Sequence, residues 1–422
     1  MYLVVNIIGV FVFLAIGFLC SKDRQAIKWR SISIMLVINL VIAWFLTSFS
    51  VGRTLVGGAS NLFNGLVQVA YQGIAFALPD WVAAKPMNFV TSALLPILMI
   101  IPLFDILTYI GVLPWIIKWI GKGLSVVTGQ PKFESFFAVE MMFLGNTEAL
   151  AISSLQLKQM KPARDLTLAM MSMSCVTASI IGSYTSLMPG QFVLTAIPIN
   201  IMNAILITNM LNPVSVTPAE DIIVKLTDQD ARAEDIGSGS EAFAQEVTRE
   251  DQTTGKEPFF SFLGDSIINA GKLILIITAN VIAFVALAAL VDKLLGLVNP
   301  WLSLEHILGI VMFPFAWLLG LDNGTAFQFA QYMGTKLVTN EFVVMGKVTE
   351  IVNTFAPHYK AVLTVFLTSF ANFSTIGMII GCFKGLVNRE KNELIARNVG
   401  YLLLSGILVS LLSAAIVGLF VW

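Results

Sequence analysis

Long apolar stretches alternate with short polar ones along most of this chain, and their lengths set its plan. A helix crossing the hydrocarbon of a bilayer needs about 20 mostly apolar residues. Runs that meet or nearly meet this length cover residues 2–20, 32–49, 89–112, 166–187, 192–211, 267–291, 359–382 and 398–421, predicting eight transmembrane helices. Two further apolar stretches, 133–157 and 318–348, are broken near their middles by Gly, Asn, Thr, Asp and Glu. A broken segment frees backbone groups that lipid cannot satisfy, so it is tolerated at membrane depth only where protein or water covers it. Both are expected to be re-entrant hairpins, entering and leaving on one face.

The stretches between spans carry their own patterns. Residues 53–79 are moderately apolar, with Asn61, Asn64, Gln68 and Gln72 three or four apart. That spacing puts a polar stripe on a helix lying outside, or against another subunit. Residues 114–127, with Trp115, Lys118, Trp119 and Lys122, predict an interfacial helix on the inner surface, since tryptophan prefers the headgroup level and lysine snorkels from it. Residues 301–319 are a weaker counterpart on the outer surface. Orientation follows the basic residues: Lys22, Arg24, Lys28 and Arg30, then Lys158, Lys161 and Arg164, then Lys384, Arg389, Lys391 and Arg397 mark three inner loops. All agree with both termini outside, provided the hairpins are not crossings. Residues 218–258, acid-rich with Gly-Ser-Gly-Ser at 237–240, read as a flexible inner linker.

The parts recur in order. An interfacial helix, a hairpin with a polar tip and a glutamate, a span interrupted by small hydroxyl residues and a plain span describe 114–211 and again 299–422. Asn146-Thr147-Glu148 is echoed by Thr339-Asn340-Glu341, and Thr177-Ala178-Ser179-Ile180-Ile181-Gly182 by Ser374-Thr375-Ile376-Gly377. The first copy starts from the inner face and the second from the outer. Inverted copies of this kind build many secondary transporters, with the substrate held near the midplane where broken helices meet. The expected division is therefore a scaffold of 1–113 and 261–298, two repeats at 114–211 and 299–422, and a linker at 212–260.

Composition narrows the class. Residues are 57% hydrophobic and 12% charged, with mean hydropathy +0.83, which fits a multi-pass protein of the cell membrane with lipid around it. The net charge of −1 has no dense basic face behind it, so nucleic acid is excluded as a partner. Cys20, Cys175 and Cys382 lie far apart in or beside apolar runs and read as small hydrophobes, not as a disulfide framework or metal site. No HExxH, GxSxG or P-loop is present, so the chain is expected to be no enzyme and to need no cofactor. The first apolar run precedes its basic residues, the reverse of a cleaved leader, and is expected to be retained.

Candidate chemistry lies where charge enters apolar sequence. An ionised acid at the bilayer centre costs about 2.5–3.5 kcal/mol on insertion scales, so Glu134, Glu140 and Glu148 in 133–154 mark a site. Glu148 and Glu341 are expected in it, while Glu134 and Glu140 suit a cap or salt bridge as well as function. Asp105 is expected to pair with a lysine of the inner interfacial helix, and Asp322 to cap a hairpin helix. His306 and His358 read as satisfied histidines. Ser172, Ser174, Thr177 and Ser179 fall where the first repeat's span should unwind.

At Gly145-Asn146-Thr147-Glu148, Asn340-Glu341-Phe342-Val343 and Ser369 through Gly377 (SFANFSTIG), the chain closely resembles the concentrative nucleoside transporter family, bacterial type. The likeness runs from the first span to the last. It implies an all-α, elevator-type homotrimer that imports nucleosides. Carried over by position, Asn146, Thr147 and Glu148 would face the nucleobase. Glu341, Asn372 and Thr375 would hold the ribose hydroxyls, and Phe370 would pack beside the ligand. Most members have Gln where Asn146 stands, and sodium-coupled members have Asn four residues before the hairpin glycine, where this chain has Met141. A thioether is a poor ligand for a hard cation. Coupling to protons is therefore expected, with Glu148 the first carrier, Glu341 next and Glu140 third; sodium coupling is the alternative. A channel would also line a pore with a polar hairpin, but would not call for a complete inverted repeat.

Overall fold

The computed structural model describes residues 2–85, 87–217, 220, 221, 223 and 258–422, and leaves out the side chain of Thr147. Most of the expected linker lies outside the described residues. In chain order the helices are α1 (Tyr2–Leu19), α2 (Trp29–Thr47), α3 (Ser50–Ala77), α4 (Pro79–Ala83), α5 (Ile97–Tyr109), α6 (Val112–Thr128), α7 (Lys132–Leu144), α8 (Asn146–Ile152), α9 (Ser154–Gln159), α10 (Pro162–Ser172), α11 (Ala178–Leu187) and α12 (Gly190–Leu211). Then come α13 (Phe259–Val298), α14 (Leu304–Trp317), α15 (Asn323–Val338), α16 (Glu341–Val348), α17 (Pro357–Leu367), α18 (Phe373–Leu386), α19 (Arg389–Arg397) and α20 (Val399–Gly418).

Six of the eight predicted spans are helices long and apolar enough to cross a membrane among the described residues: α1, α2, Val90–Tyr109, α12, α13 and α20. Val90–Tyr109 begins with the π-helical turn Val90–Leu94, just before Pro96, whose missing N–H breaks the ladder. The other two spans are broken at mid-length. α10 and α11 are separated by residues 173–177, and α17 and α18 by 368–372. These are the spans whose middles carry small hydroxyl residues.

Each predicted hairpin is a pair of short arms. α7 has 13 residues and α15 has 16, so at 1.5 Å per residue they run about 20 and 24 Å, short of the roughly 30 Å of hydrocarbon. The chain turns back at Gly145 and at Thr339-Asn340. α6 lies along α7 and α14 along α15, so each interfacial helix braces the first arm of its hairpin. Asp322 caps α15 as expected, accepting from the N–H groups of Gly324 (3.0 Å) and Thr325 (3.2 Å). The histidines are satisfied as well. His306 contacts Ser303 and the Trp301 carbonyl, and His358 the carbonyls of Leu319 and Val421.

Asp105 departs from expectation. It accepts from Ser266 of α13, which runs beside α5, and not from a lysine of α6. Lys118 and Lys122 stay exposed, and a neighbouring hydroxyl completes the carboxylate without drawing a cation out of solvent. The chain after α12 returns to the root of the first hairpin. Lys161 bridges Glu220 at 2.6 Å and holds its carboxyl down at about 2, while Asp221 accepts from the Lys132 N–H at 2.6 Å.

α12 and α20 form the buried centre, packed on each other, on α2 and on α17. Buried amides join them: Asn39 Nδ2 donates to Asn203 Oδ1 (2.6 Å), and Asn203 Nδ2 to Ser413 Oγ (2.9 Å). Asn203→Leu would remove a partner from Asn39 and from Ser413, leaving Asn39 only its long bond to the Ile199 carbonyl, at about 1–3 kcal/mol for a group left unsatisfied. A lower unfolding midpoint in detergent is expected; a parental midpoint would show that the chain of amides adds nothing.

Candidate functional site

At the tip of the first hairpin, α7 stops and α8 starts at Gly145, whose φ of 102° and ψ of 172° are open essentially to glycine alone. Space imposes glycine as well. A Cβ here would sit 2.6 Å from Thr177 Cγ2 and 3.0 Å from Glu148 Oε2. The hairpin tip thus touches the unwound middle of the broken span α10–α11. Asn146 crosses the same gap, donating to the Ser172 carbonyl at 2.8 Å; its buried Oδ1 has no partner among the described residues. Ser172 Oγ contacts Met141 Sδ at 3.2 Å and the Leu168 carbonyl at 2.9 Å, and the Thr177 and Ser179 hydroxyls pair at 2.7 Å. Glu148, in the first turn of α8, is exposed. The Thr147 side chain, a predicted site residue, lies outside the described residues.

The second hairpin solves the same problem with amides. Asn340 caps α16, accepting from the Val343 N–H at 3.1 Å. Asn372 caps α18, its Oδ1 accepting from the N–H (2.8 Å) and hydroxyl (3.0 Å) of Thr375. Glu341, 3% exposed, holds both oxygens in protein bonds: Oε1 accepts from Tyr184 OH at 2.9 Å and Oε2 from Asn372 Nδ2 at 3.1 Å. Phe342 packs edge-on against Tyr184 and Phe89. Phe370, in the unwound stretch, is half-buried against the core.

The halves interlock crosswise. α8 of the first hairpin packs on α18 of the second repeat, and α16 of the second hairpin packs on α11 of the first. Glu341, Asn372 and Thr375 come together with Tyr184, while Asn146 bonds to Ser172 at the end of α10. Among the described residues Glu140 makes neither a cap nor an ion pair, and it accepts a 3.1 Å bond from Ser153 Oγ on the return arm. Glu134 is the structural acid, joined through both oxygens to Arg164 at 2.6 and 2.8 Å. Asp165 and Lys391 form a second buried pair at 2.9 Å, tying α10 to α19.

Two polar residues of this region escape the sequence reading. Tyr184 looks like one more apolar-span aromatic, and nothing local names its partner 157 positions away. Lys336, fully buried in α15, could have been found by the rule that picked out the acids, since a cation inside apolar sequence is as costly. Gly145→Ala is expected to cost about 1–3 kcal/mol in backbone strain alone. Adding Thr177→Ser, which removes the clashing methyl, should recover part of the lost unfolding midpoint; no recovery would mean that the contact with Thr177 is unimportant.

Comparison with known proteins agrees with this architecture. Residues 8–81 match the family model of the Na+ dependent nucleoside transporter N-terminus, and residues 192–418 that of its C-terminus. The purine nucleoside transport protein NupG of Bacillus subtilis is 45% identical over 422 residues, all of both chains. The nucleoside permease NupC of Helicobacter pylori is 25% identical over 99% of this chain and 97% of that one. The solved structure of CNTnw in an inward-facing substrate-bound state superposes with a TM-score of 0.87 at 24% identity, covering 100% of this chain and 98% of that one. A doubly substituted CNTnw in an outward-facing state gives 0.86 at 24% identity over 100% and 99%. The fold is that of an all-α, elevator-type membrane transporter, and nothing about these relatives is enzymatic. With a family model spanning 192–418 and a full-length relative at 45% identity, the chain belongs to the concentrative nucleoside transporter family.

Proposed function

We propose that this chain is a secondary active importer of nucleosides, purine nucleosides foremost, driven by protons. The observation that carries the reading is the buried cluster of Glu341, Asn372, Thr375 and Tyr184 where the second hairpin meets a broken span. A nucleoside is neutral, with two vicinal hydroxyls and a flat base. A carboxylate offers about four lone-pair sites, so Glu341 can keep its bonds to Tyr184 and Asn372 and still accept from ribose hydroxyls. Such charge-assisted bonds gain most where water is excluded. Asn146 Oδ1, buried without a protein donor, suits a base N–H. An amide one methylene shorter than glutamine leaves room for a bicyclic base, in keeping with the name of the Bacillus relative. Thr147, Glu148 and Phe370 complete the assignment by resemblance.

The case for protons rests on Met141. It offers sulfur where sodium-coupled members offer an amide oxygen, and the Ser172 hydroxyl and carbonyl beside it are already engaged within the protein. A hard cation wants free oxygen ligands. For the carrier, Glu148 comes first because it is open at the hairpin tip. Charge balance then favours Glu140 over Glu341. The buried charged residues are Glu134, Glu140, Asp165, Glu341, Arg164, Lys336 and Lys391, and only Glu140 lacks a cation among the described residues. The exposed amide stripe of α3 supports the homotrimer, because amides facing lipid tails would go unpaired. Both termini lie outside in this reading, with α1, α2, α3, α5 and α13 as scaffold and the two repeats as the moving part.

In proteoliposomes, inosine and uridine uptake is expected to follow an imposed proton gradient and ignore a sodium gradient; the reverse would sink proton coupling. Glu341→Gln and Asn372→Ala should each weaken inosine binding by about 100-fold, the equivalent of about 2.7 kcal/mol, with trimers intact. Full transport by either variant would discredit the ribose contacts. Asn146→Gln is expected to shift the inosine-to-uridine uptake ratio toward uridine.

A further inference from the structure

Lys336 has no part in the site as described, yet it is the fully buried cation beside it. It stands in the last turn of α15, before the hairpin break, and Glu341 opens α16 just after the break. Lys336 Nζ donates to the Phe366 carbonyl and to Ser369 Oγ, both at 2.6 Å, and lies 4.5 Å from the centre of the Phe366 ring. Ser369 Oγ pairs in turn with Ser410 Oγ of α20 at 2.6 Å. Two residues flanking the hairpin break therefore grip two residues of the unwound segment 368–372. Lys336 holds Ser369, and Glu341 holds Asn372.

A carbonyl, a hydroxyl and a ring face satisfy an ammonium's N–H groups without neutralising its charge, and an uncompensated buried charge is strongly destabilising. Glu341 is the buried carboxylate across the same hairpin break, five residues on, and opposite charges so placed attract. We propose that Lys336 is a positioning residue for nucleoside binding. It balances the charge of Glu341 and clamps the unwound segment to the second hairpin, so that Glu341 and Asn372 meet the ribose as one rigid pair. This rests on the reading of Glu341 and Asn372 as ribose contacts. Its physical content is separable, because charge balance can be measured without ligand.

The test uses purified full-length protein carrying Lys336→Met, Lys336→Arg, Glu341→Gln or Lys336→Met with Glu341→Gln. Unfolding midpoints are read for each, and affinities for inosine and 2′,3′-dideoxyinosine by calorimetry. Lys336→Arg keeps the charge but changes its reach. It is expected to weaken inosine by about tenfold and dideoxyinosine far less, narrowing the ratio between them. Equal weakening of both ligands would leave Lys336 a merely structural residue and overturn the positioning role. Lys336→Met should lower the midpoint sharply, and the double variant should return to near the Glu341→Gln value; additive losses would overturn the charge balance. If Lys336→Met does not fold, a folded double variant supports the proposal, and an unfolded double beside a folded Glu341→Gln refutes it. Parental inosine affinity in Glu341→Gln would remove the ribose assignment, and the midpoint cycle would then decide the charge balance alone.

Discussion

Backbone groups freed at membrane depth must find partners inside the protein, because the hydrocarbon around them has none to give. The chain is broken there in four places, at Gly145, at 173–177, at 339–340 and at 368–372, and the polar residues of the region are first of all the repair of those breaks. Asn340 and Asn372 cap the helices that restart, and Asn146 reaches the Ser172 carbonyl. Asn200 of α12 donates to the carbonyl of Thr368, and Lys336 to that of Phe366. Asn372 repairs one helix end with its carbonyl oxygen while its amide orients Glu341.

The two repeats meet the same demand by different chemistry. In the first, glycine lets the hairpin tip press against Thr177, and among the described residues no side chain caps either restarted helix. In the second, asparagine side chains do the capping and a lysine and a glutamate flank the tip. The inverted copies therefore share geometry and not chemistry. The first presents amide, hydroxyl and thioether groups, and the second a buried lysine and a buried glutamate.

Charge pairing differs between the root of the first hairpin and its tip. At the root Glu134–Arg164 and Asp165–Lys391 are direct, tight pairs joining α7, α10 and α19. Breaking such a pair leaves a bare ion and costs about 3–5 kcal/mol, so these elements are held together. Toward the tips, Lys336 is held by the Phe366 carbonyl and Ser369, Glu341 by Tyr184 and Asn372, and Glu140 by Ser153.

The sequence by itself determined the spans, the two hairpins, the breaks and the inverted order, because run length, glycine and polar interruption report directly on what lipid permits. It also marked Glu148 and Glu341 through the cost of placing acids there, Asn372 through family resemblance alone, and Asp322 through its capping position. Partnership was another matter. That Glu341 meets Tyr184, that Asp105 turns to Ser266, that Glu140 is left without a cation and that Lys336 reaches Ser369 were decided only by the tertiary structure. Hydropathy is a property of one residue and its neighbours in the chain, whereas a hydrogen bond or an ion pair depends on which helices are brought side by side.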